Sequence, residues 1–302
     1  MISKENGLNV GHMAYLIEEQ EVFYKNSLGQ FSRYAATRSD LNCTLITLSN
    51  GRITNPVPVY LPNIEPFTQL SSKICTPALK NVILTGIDLE FSSLQGKTYF
   101  PKEVVSNIVN GLAASFNIEL VTSGTSFIKT AHIKKEIFDQ SVTLYDDPLE
   151  FDKGRVYFPF DIEGTQARKK CLIKNGIVND LLSNKERAIL FPGISPGNCR
   201  RELNDINLKI MPSNLVLQVD KPKNKVKNFE NHINDIGFQS FFDVGAGRLK
   251  GTARGSKRDG KKSKPVLFSL DFSIKDFFKN CLALDSYGWV NGNYVPGLIT
   301  EI

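Results

Sequence analysis

Four acidic residues form the clearest constellation for chemistry in this chain of 302 residues. Asp146 and Asp147 directly precede a proline, and Asp161 and Glu163 follow in a later apolar segment. Paired carboxylates can act as general acid and base, or they can bind a hard cation. The same residue types also end strands and line turns. We expect that structural role, and the four residues remain the acidic candidates for catalysis.

The cysteines and histidines form no recognisable metal or redox motif. The cysteines include no Cys-x-x-Cys pair, and no histidine is close in sequence to another histidine or to a cysteine. A transition-metal site would have to be assembled from distant segments. We therefore expect reduced thiols, no cofactor and no bound metal. The residues concerned are Cys43, Cys75, Cys171, Cys199 and Cys281, with His12, His132 and His232.

Positive charge is concentrated between Arg248 and Lys264. This segment holds eight Lys or Arg residues against one acid, Asp259, in a chain whose formal net charge is +6. Several glycines interrupt the segment, which predicts a mobile loop or an open hairpin. Clustered cations can bind nucleic-acid phosphates, but no aromatic residue interleaves the segment to stack on bases. We expect a solvated loop, with nucleic acid an unfavoured partner.

The overall composition is that of a soluble globular protein, with 41% hydrophobic and 23% charged residues. It excludes disulfide-rich scaffolds and disordered chains. No stretch approaches the roughly 18 consecutive apolar residues of a membrane helix, and the first residues lack the pattern of a secretory signal. The sequence therefore predicts a cytoplasmic protein that has no membrane partner.

Local patterns in the first third of the chain predict strands and one helix. A turn at Asn26-Ser27-Leu28-Gly29 between two strand-like runs predicts a β-ribbon, and four prolines within residues 55–67 predict a connector after it. The apolar residues of 101–116 fall at helical spacing, with Pro101 suited to a helix start.

Further along, Asn175-Gly176 joins two apolar runs, as in a type I′ hairpin turn. Ser183 and Glu186 form a capping box that predicts a short helix ending at Leu190. Residues 229–236 and the segment after Ser273 are also predicted to be helical. Together these elements predict an α+β fold, rich in β-structure, in which a large antiparallel sheet or barrel-like module carries a few packed helices. We divide the chain into a leading β-ribbon with its Pro-rich connector, residues 1–75, and a C-terminal domain, residues 76–302.

Three consecutive motifs resemble the core signature of the TldD/PmbA family. Leu144–Pro148 reads Leu-Tyr-Asp-Asp-Pro, Phe158–Gly164 reads Phe-Pro-Phe-Asp-Ile-Glu-Gly, and Leu172–Val178 reads Leu-Ile-Lys-Asn-Gly-Ile-Val. Family members show, in this order, a strand ending in Asp-Asp-Pro, a Phe-Asp-x-Glu-Gly run and a Leu-Ile-x-Asn-Gly-Val hairpin. Weaker collinear matches, including the loop Gly197–Arg201, extend the resemblance over residues 15–300.

The resemblance implies relatives that are zinc metallopeptidases. TldD-type members carry His-Glu-x-x-x-His on the helix before this signature, where the histidines hold zinc and the Glu can activate water. In this chain Asn110, Gly111 and Ser115 stand at the motif positions. An Asn, Gly and Ser set cannot bind Zn²⁺ tightly or supply a general base. The chain therefore resembles the PmbA (TldE) branch, the subunit without a catalytic metal.

For that branch, the resemblance implies a non-catalytic partner of a TldD-like metallopeptidase subunit that helps to enclose and bind unfolded peptide. Self-association is the alternative form of assembly. A second hypothesis is an independent enzyme that modifies peptides or peptide-derived natural products at a non-zinc site built from the four acidic candidates. Whether the chain is itself an enzyme stays open.

Family members usually carry an additional N-terminal α/β domain. Here the Asn-Ser-x-Gly turn already occurs at Asn26. We therefore expect that domain to be absent.

Overall fold

A computed structural model describes residues 8–27, 29–49, 52–53, 57–62, 90–150, 157–201, 207–220, 228–236, 240–260, 262–279, 281–284, 287–290 and 292–302. Within these ranges no helix is long and apolar enough to cross a membrane.

A long antiparallel β-ribbon opens the described chain. Strand β1 (Leu8–Lys25) pairs with β2 (Phe31–Ser49), and β3 (Arg52–Ile53) and β4 (Val57–Pro62) add to β2. At the ribbon tip, the Asn26 side chain accepts a hydrogen bond from the Gln30 amide at 3.0 Å, and Gly29 has a φ of +78°. Glycine takes this φ without strain. The predicted ribbon and turn are confirmed, although Leu28 lies outside the described residues.

The predicted Pro-rich connector is only partly described. Its residues 57–62 form β4, which pairs with β2 and with no other described strand. Proline is tolerated on such an edge strand because its missing N–H would face away from the ladder. The rest of the connector and the expected boundary at residue 75 lie outside the described residues.

Two larger sheets form the body of the molecule. A six-stranded sheet has the order β18-β19-β12-β7-β8-β9, and an eight-stranded sheet has the order β17-β20-β6-β13-β15-β16-β5, with β14 also paired to β15; β10 pairs with β11. The strands are β5 (Glu90–Ser93), β6 (Lys97–Phe100), β7 (Val142–Asp146), β8 (Lys170–Lys174), β9 (Ile177–Val178), β10 (Cys199–Arg201), β11 (Leu208–Ile210), β12 (Leu215–Val219), β13 (Asn231–Ile236), β14 (Phe241–Asp243), β15 (Arg248–Asp259), β16 (Lys262–Ser273), β17 (Leu282–Ala283), β18 (Gly288–Val290), β19 (Asn293–Val295) and β20 (Leu298–Glu301).

The helices are few and short. They are α1 (Lys102–Ala114), α2 (Ile118–Thr122), α3 (Lys185–Leu190) and α4 (Ile274–Lys279), with a 3₁₀ turn at Thr130–His132. Most strand pairs are antiparallel, and the pairs β12–β19, β13–β6 and β16–β5 are parallel. The architecture is therefore the predicted strand-rich α+β fold.

Helix α1 lies between the two large sheets. It contacts β12, β18 and β19 of the six-stranded sheet and β13 and β14 of the eight-stranded sheet. Its apolar face, which includes Val105, Ile108 and Leu112, is fully buried in the main core. Burial of each such side chain contributes about 1.5–3 kcal/mol. The helix therefore holds the sheets together, and the position of each of its residues is closely defined.

Three local predictions are tested by these elements. The Asn175-Gly176 turn is confirmed, since both residues have positive φ, 48° and 78°. The predicted helix at 229–236 is wrong: this segment contains strand β13, because pairing with β6 and β15 overrides the local pattern. The cap of α3 is Asn184 rather than Ser183, since the Asn184 side chain accepts the Arg187 amide at 2.9 Å.

The basic segment is a regular antiparallel hairpin, β15–β16, and not a mobile loop. Of the two conformations expected from the sequence, the structure has the hairpin. Its glycines also serve packing. A Cβ at Gly255 would overlap the carbonyl oxygen of His232 on the neighbouring strand.

Candidate functional site

Asn110 connects α1 to the six-stranded sheet. Its side-chain oxygen accepts a hydrogen bond from the side-chain nitrogen Nδ2 of Asn293 at 3.0 Å. The same nitrogen also donates to the hydroxyl of Ser106 at 2.9 Å. The oxygen of Asn293 in turn accepts the Leu215 amide at 3.0 Å. Asn110, which we align with the first histidine of the zinc motif, thus forms a polar contact between the helix and the sheet.

Gly111 faces the eight-stranded sheet at very short range. A Cβ built on Gly111 would lie 2.7 Å from both Cβ and Cγ of Phe242 on β14. Non-bonded carbon atoms do not approach each other this closely, so any side chain at position 111 would require Phe242 to move. Position 111, which we align with the Glu of the zinc motif, therefore has no room for a side chain while Phe242 stays in place.

Ser115 follows the last turn of α1 and is fully buried. Its carbonyl accepts a hydrogen bond from the Ser126 hydroxyl at 2.8 Å, while its own hydroxyl has no hydrogen-bond partner among the described residues. Nor does the described part of the chain contain a group of three or more His, Cys, Asp or Glu side chains that could hold a metal. Asn110, Gly111 and Ser115, which we align with the zinc motif, lack the imidazole, thiolate and carboxylate groups that bind a zinc ion.

A shallow apolar cavity of about 320 Å³ lies beside Gly111. Strand β14 forms one side of it, and Phe241 on this strand is 57% exposed. Strand β14 pairs with β15, and no described strand pairs with its other edge. The cavity is lined by Asn107, Gly111, Ile236, Ser240, Phe241, Phe242 and Leu249.

Asp146 lies at the end of β7 with 1% of its surface exposed. One carboxylate oxygen accepts hydrogen bonds from the amide and the hydroxyl of Ser213, and the other accepts the Asn198 amide nitrogen at 2.7 Å. The carboxylate therefore joins the start of β12 to the loop before β10. It has no open face for a substrate.

Asp161 is also buried, with 2% of its surface exposed. Its carboxylate accepts the backbone amides of Glu163 at 3.0 Å, Thr165 at 2.9 Å and Cys199 at 3.2 Å. Asp146 and Asp161 thus bind the consecutive residues Asn198 and Cys199. The structure brings these two candidates to the same loop, where they hold the backbone.

Asp147 and Glu163 contact different parts of the chain from each other and from the loop at Asn198 and Cys199. Asp147 accepts the Leu149 amide at 3.2 Å and lies 3.7 Å from the ammonium of Lys169. Glu163 accepts the Lys185 amide at 2.7 Å, at the first residue of α3. A carboxylate at this end of a helix is favourable because the first amides lack partners within the helix. The four acidic candidates therefore do not form one catalytic cluster.

Lys170 is a buried cation that sequence reasoning missed. Its ammonium donates to the carbonyls of Leu181 at 3.1 Å and Ser195, and to the side-chain oxygen of Asn198. Burial lowers the pKa of Lys170 from its usual 10.5 to about 8, although the nearby Asp180 and Asp146 oppose this shift. No local signal marks Lys170 in the sequence, because it is one cation within an ordinary strand pattern.

Arg200 lies under the tip of the β-ribbon. Its guanidinium stacks 3.7 Å from the ring centre of Phe158. Burial lowers the pKa of Arg200 to about 10, with Asp146 and Tyr34 opposing the shift. Tyr34 of the ribbon meets Phe160 edge to face, with ring centres 5.3 Å apart. The Phe158–Gly164 motif thus packs against the ribbon. Arg200 and this motif therefore have a structural role, which is to hold the ribbon in place.

Comparisons with known proteins identify the family of this chain. Residues 94–301 match the family model described as the PmbA/TldA metallopeptidase C-terminal domain. A protein named metalloprotease from Archaeoglobus fulgidus is 31% identical over 96 residues, which cover 32% of this chain and 22% of that protein. Another from Methanothermobacter thermautotrophicus is 29% identical over 185 residues, which cover 57% of this chain and 38% of that protein. The chain thus matches less than two fifths of the length of these relatives.

Solved structures share the whole described architecture. TldE from Thermococcus kodakarensis superposes with a TM-score of 0.82 at 14% identity, over 99% of this chain and 70% of that chain. A candidate modulator of a DNA gyrase from Thermotoga maritima superposes with a TM-score of 0.81 at 17% identity, with the same coverage. At these identities the likeness shows the fold. Because the family model matches more than half of the sequence, the chain belongs to the PmbA/TldA metallopeptidase family, of which it carries the C-terminal domain.

Proposed function

We propose that this protein is a non-catalytic, PmbA (TldE)-like partner subunit of a TldD-type zinc metallopeptidase, and that it helps to enclose and bind unfolded peptide. The observation that carries the proposal is the contact between Gly111 and Phe242. This contact leaves no room for a side chain at position 111, which we align with the water-activating Glu of the TldD-type metallopeptidases, and so supports the proposal. A chain of this family without a metal site can take part in hydrolysis through the zinc of a partner.

The edge of β14 that pairs with no described strand supports peptide binding. An extended peptide can add to an open strand edge through main-chain hydrogen bonds, while its side chains enter neighbouring pockets. The apolar cavity beside Gly111 is such a pocket, and Phe241 lies at its rim. An unfolded peptide fits this arrangement because it offers both a free backbone and apolar side chains.

The buried carboxylates favour this proposal over an independent enzyme. Asp146 and Asp161 use their oxygens for backbone and side-chain hydrogen bonds, and Asp147 and Glu163 lie at separate contacts. The partner is a TldD-like subunit, or a second copy where the chain self-associates. Neither Cys171 nor Cys199 forms a disulfide within the described residues, which supports a reducing, cytoplasmic location.

The test compares the purified protein alone with its mixture with a TldD-like subunit. Alone, it should contain no stoichiometric zinc and should not hydrolyse an unfolded peptide. The mixture should form a complex in solution and hydrolyse the peptide. Stoichiometric zinc together with hydrolysis by the single chain would refute the proposal, and so would a mixture in which the two proteins remain separate monomers.

A pair of phenylalanine variants locates peptide binding within that complex. Phe241→Ala removes the exposed ring at the cavity, and Phe91→Ala removes a ring on β5 that is 73% exposed. The first variant should raise the KM for peptide several-fold with little change in kcat, because it removes apolar contact to the bound substrate. The second should leave both constants unchanged. Equal effects of the two substitutions would place the peptide elsewhere.

A further inference from the structure

The structure divides the cations of the β15–β16 hairpin into two groups. Four have acidic partners: Arg248 with Asp271 at 2.7 Å, Lys250 with Asp243 at 2.9 Å, Arg254 with Asp235 at 3.6 Å and Lys264 with Asp259 at 3.2 Å. In contrast, Lys257, Arg258 and Lys262 have no ion pair within the described part of the chain. The uncompensated charge therefore lies at the end of the hairpin, in residues 257–260 and 262–265, the hairpin tip.

The hairpin tip projects from the eight-stranded sheet. Each of its residues is exposed, whereas burial begins at Gly255 on one strand and at Val266 on the other. Successive residues of a strand point to opposite faces. Exposure of every residue thus means that solvent reaches both faces of the tip, so a ligand can approach it from either side.

Two like charges face each other within the hairpin tip. Lys257 and Lys264 are direct partners across the β15–β16 ladder. Such a pair destabilises a hairpin, and the single acid of the tip, Asp259, already binds Lys264. An anion bound between the strands would remove this repulsion.

The composition of the hairpin tip favours phosphate over an acidic protein surface. Apart from Pro265, the described residues of the tip are Lys, Arg, Asp, Gly and Ser. Stable protein interfaces depend on apolar and aromatic anchors and are depleted in lysine. Phosphate binding needs only cations, and the major groove of a duplex admits a two-stranded β-ribbon. The lack of interleaved aromatic residues argues against single strands, which are held by stacking, and not against duplexes.

We propose that the hairpin tip binds the phosphates of a nucleic-acid duplex, without base specificity, through Lys257, Arg258 and Lys262. This activity is independent of the peptide-processing role. Neutralising three phosphates gives a slope of about −2.7 for the logarithm of the binding constant against the logarithm of salt concentration. A rise from about 50 to about 200 mM salt should therefore weaken binding about 40-fold.

The test measures anisotropy of a short, labelled DNA duplex of mixed sequence as the full chain is added. The variant K257Q/R258Q/K262Q should bind at least about tenfold more weakly and lose most of the salt slope. The control K25Q/K135Q/K174Q removes the same charge from exposed lysines elsewhere. It should retain the wild-type affinity and slope, and neither variant should melt at a lower temperature than the wild type because all six side chains are exposed.

Three results would overturn the proposal. Equal loss in the control variant would show that net charge alone attracts DNA. Binding by the wild type that does not depend on salt would exclude phosphate contacts. Tighter binding of polyglutamate than of the duplex would show that the hairpin tip instead recognises an acidic polypeptide.

Discussion

Phe242 on β14 occupies the space that any side chain at Gly111 on α1 would need. The two residues come from different elements, and their contact leaves only 2.7 Å between Phe242 and a Cβ placed on Gly111. A larger residue at position 111 would therefore require Phe242 to move.

Replacing Gly111 with Glu should lower the free energy of unfolding by about 1–3 kcal/mol, because the new side chain overpacks against Phe242. The double variant G111E/F242A should regain part of this loss. Asn107→Glu places the same charge at an exposed position on the same helix and should have little effect. Urea denaturation measures the three values, and wild-type stability in G111E would contradict the close contact.

Replacing Asp161 with Ala should destabilise the protein by about 3 kcal/mol or more, because three backbone amides lose their acceptor and each unsatisfied group costs about 1–3 kcal/mol. Asp147→Ala is the control. It removes one turn hydrogen bond and a long ion pair at the surface, which contributes less than about 1 kcal/mol. Chemical denaturation distinguishes the two variants, and similar losses would show that Asp161 does not hold this loop.

Lys170 should make stability depend on pH in the alkaline range. Its folded pKa is about 8 and its ordinary value 10.5. Between these values the unfolded chain still holds a proton that the folded chain has released, so stability rises with pH. From pH 8 to 9 the wild type should gain about 1 kcal/mol relative to Lys170→Met.

The comparison with the variant is necessary because another group acts in the opposite direction. Burial raises the pKa of the Cys199 thiol from 9.0 to about 12. The folded chain then keeps a proton that the unfolded chain loses, which lowers stability as pH rises above 9. This contribution is common to both proteins and cancels in their difference. Urea denaturation across the range gives that difference, and a constant value would show that Lys170 does not titrate as the structure indicates.

Gly164 should control the docking of the ribbon tip. It has a φ of +71°, and a Cβ there would overlap the ring of Tyr24. Gly164→Ala should therefore displace the tip and lower amide-exchange protection in residues 21–25 and 31–34 at least about tenfold, because local contacts set the opening free energy.

The matched control for this experiment is Gly124→Ala. Gly124 has a similar φ of +76°, but a Cβ there would meet no atom within 4 Å. The Gly124→Ala substitution should introduce about 1 kcal/mol of backbone strain without changing amide exchange in the ribbon. Hydrogen exchange followed by mass spectrometry measures both variants. Unchanged protection in G164A would mean that Tyr24 does not dock against this loop.

Features that depend on neighbouring residues were predictable. The Asn175-Gly176 turn, helix α1 and the ribbon follow from φ preferences and apolar spacing within a few residues. The segment at β13 was mispredicted because its partners, β6 and β15, lie far away in the sequence. Glycines in the basic segment left both a mobile loop and an open hairpin as predictions, and the structure adds that Gly255 allows close approach to His232.

The sequence alone determined the family signature and the excess of positive charge, because these are properties of residue type and order. Only the tertiary structure decided that Phe242 leaves no room for a side chain at Gly111 and that Asp146 and Asp161 hold a loop together with Lys170. It also decided that the cations without an ion pair in the described part of the chain lie at the hairpin tip. Each of these depends on which distant side chains meet, and packing across sheets sets that.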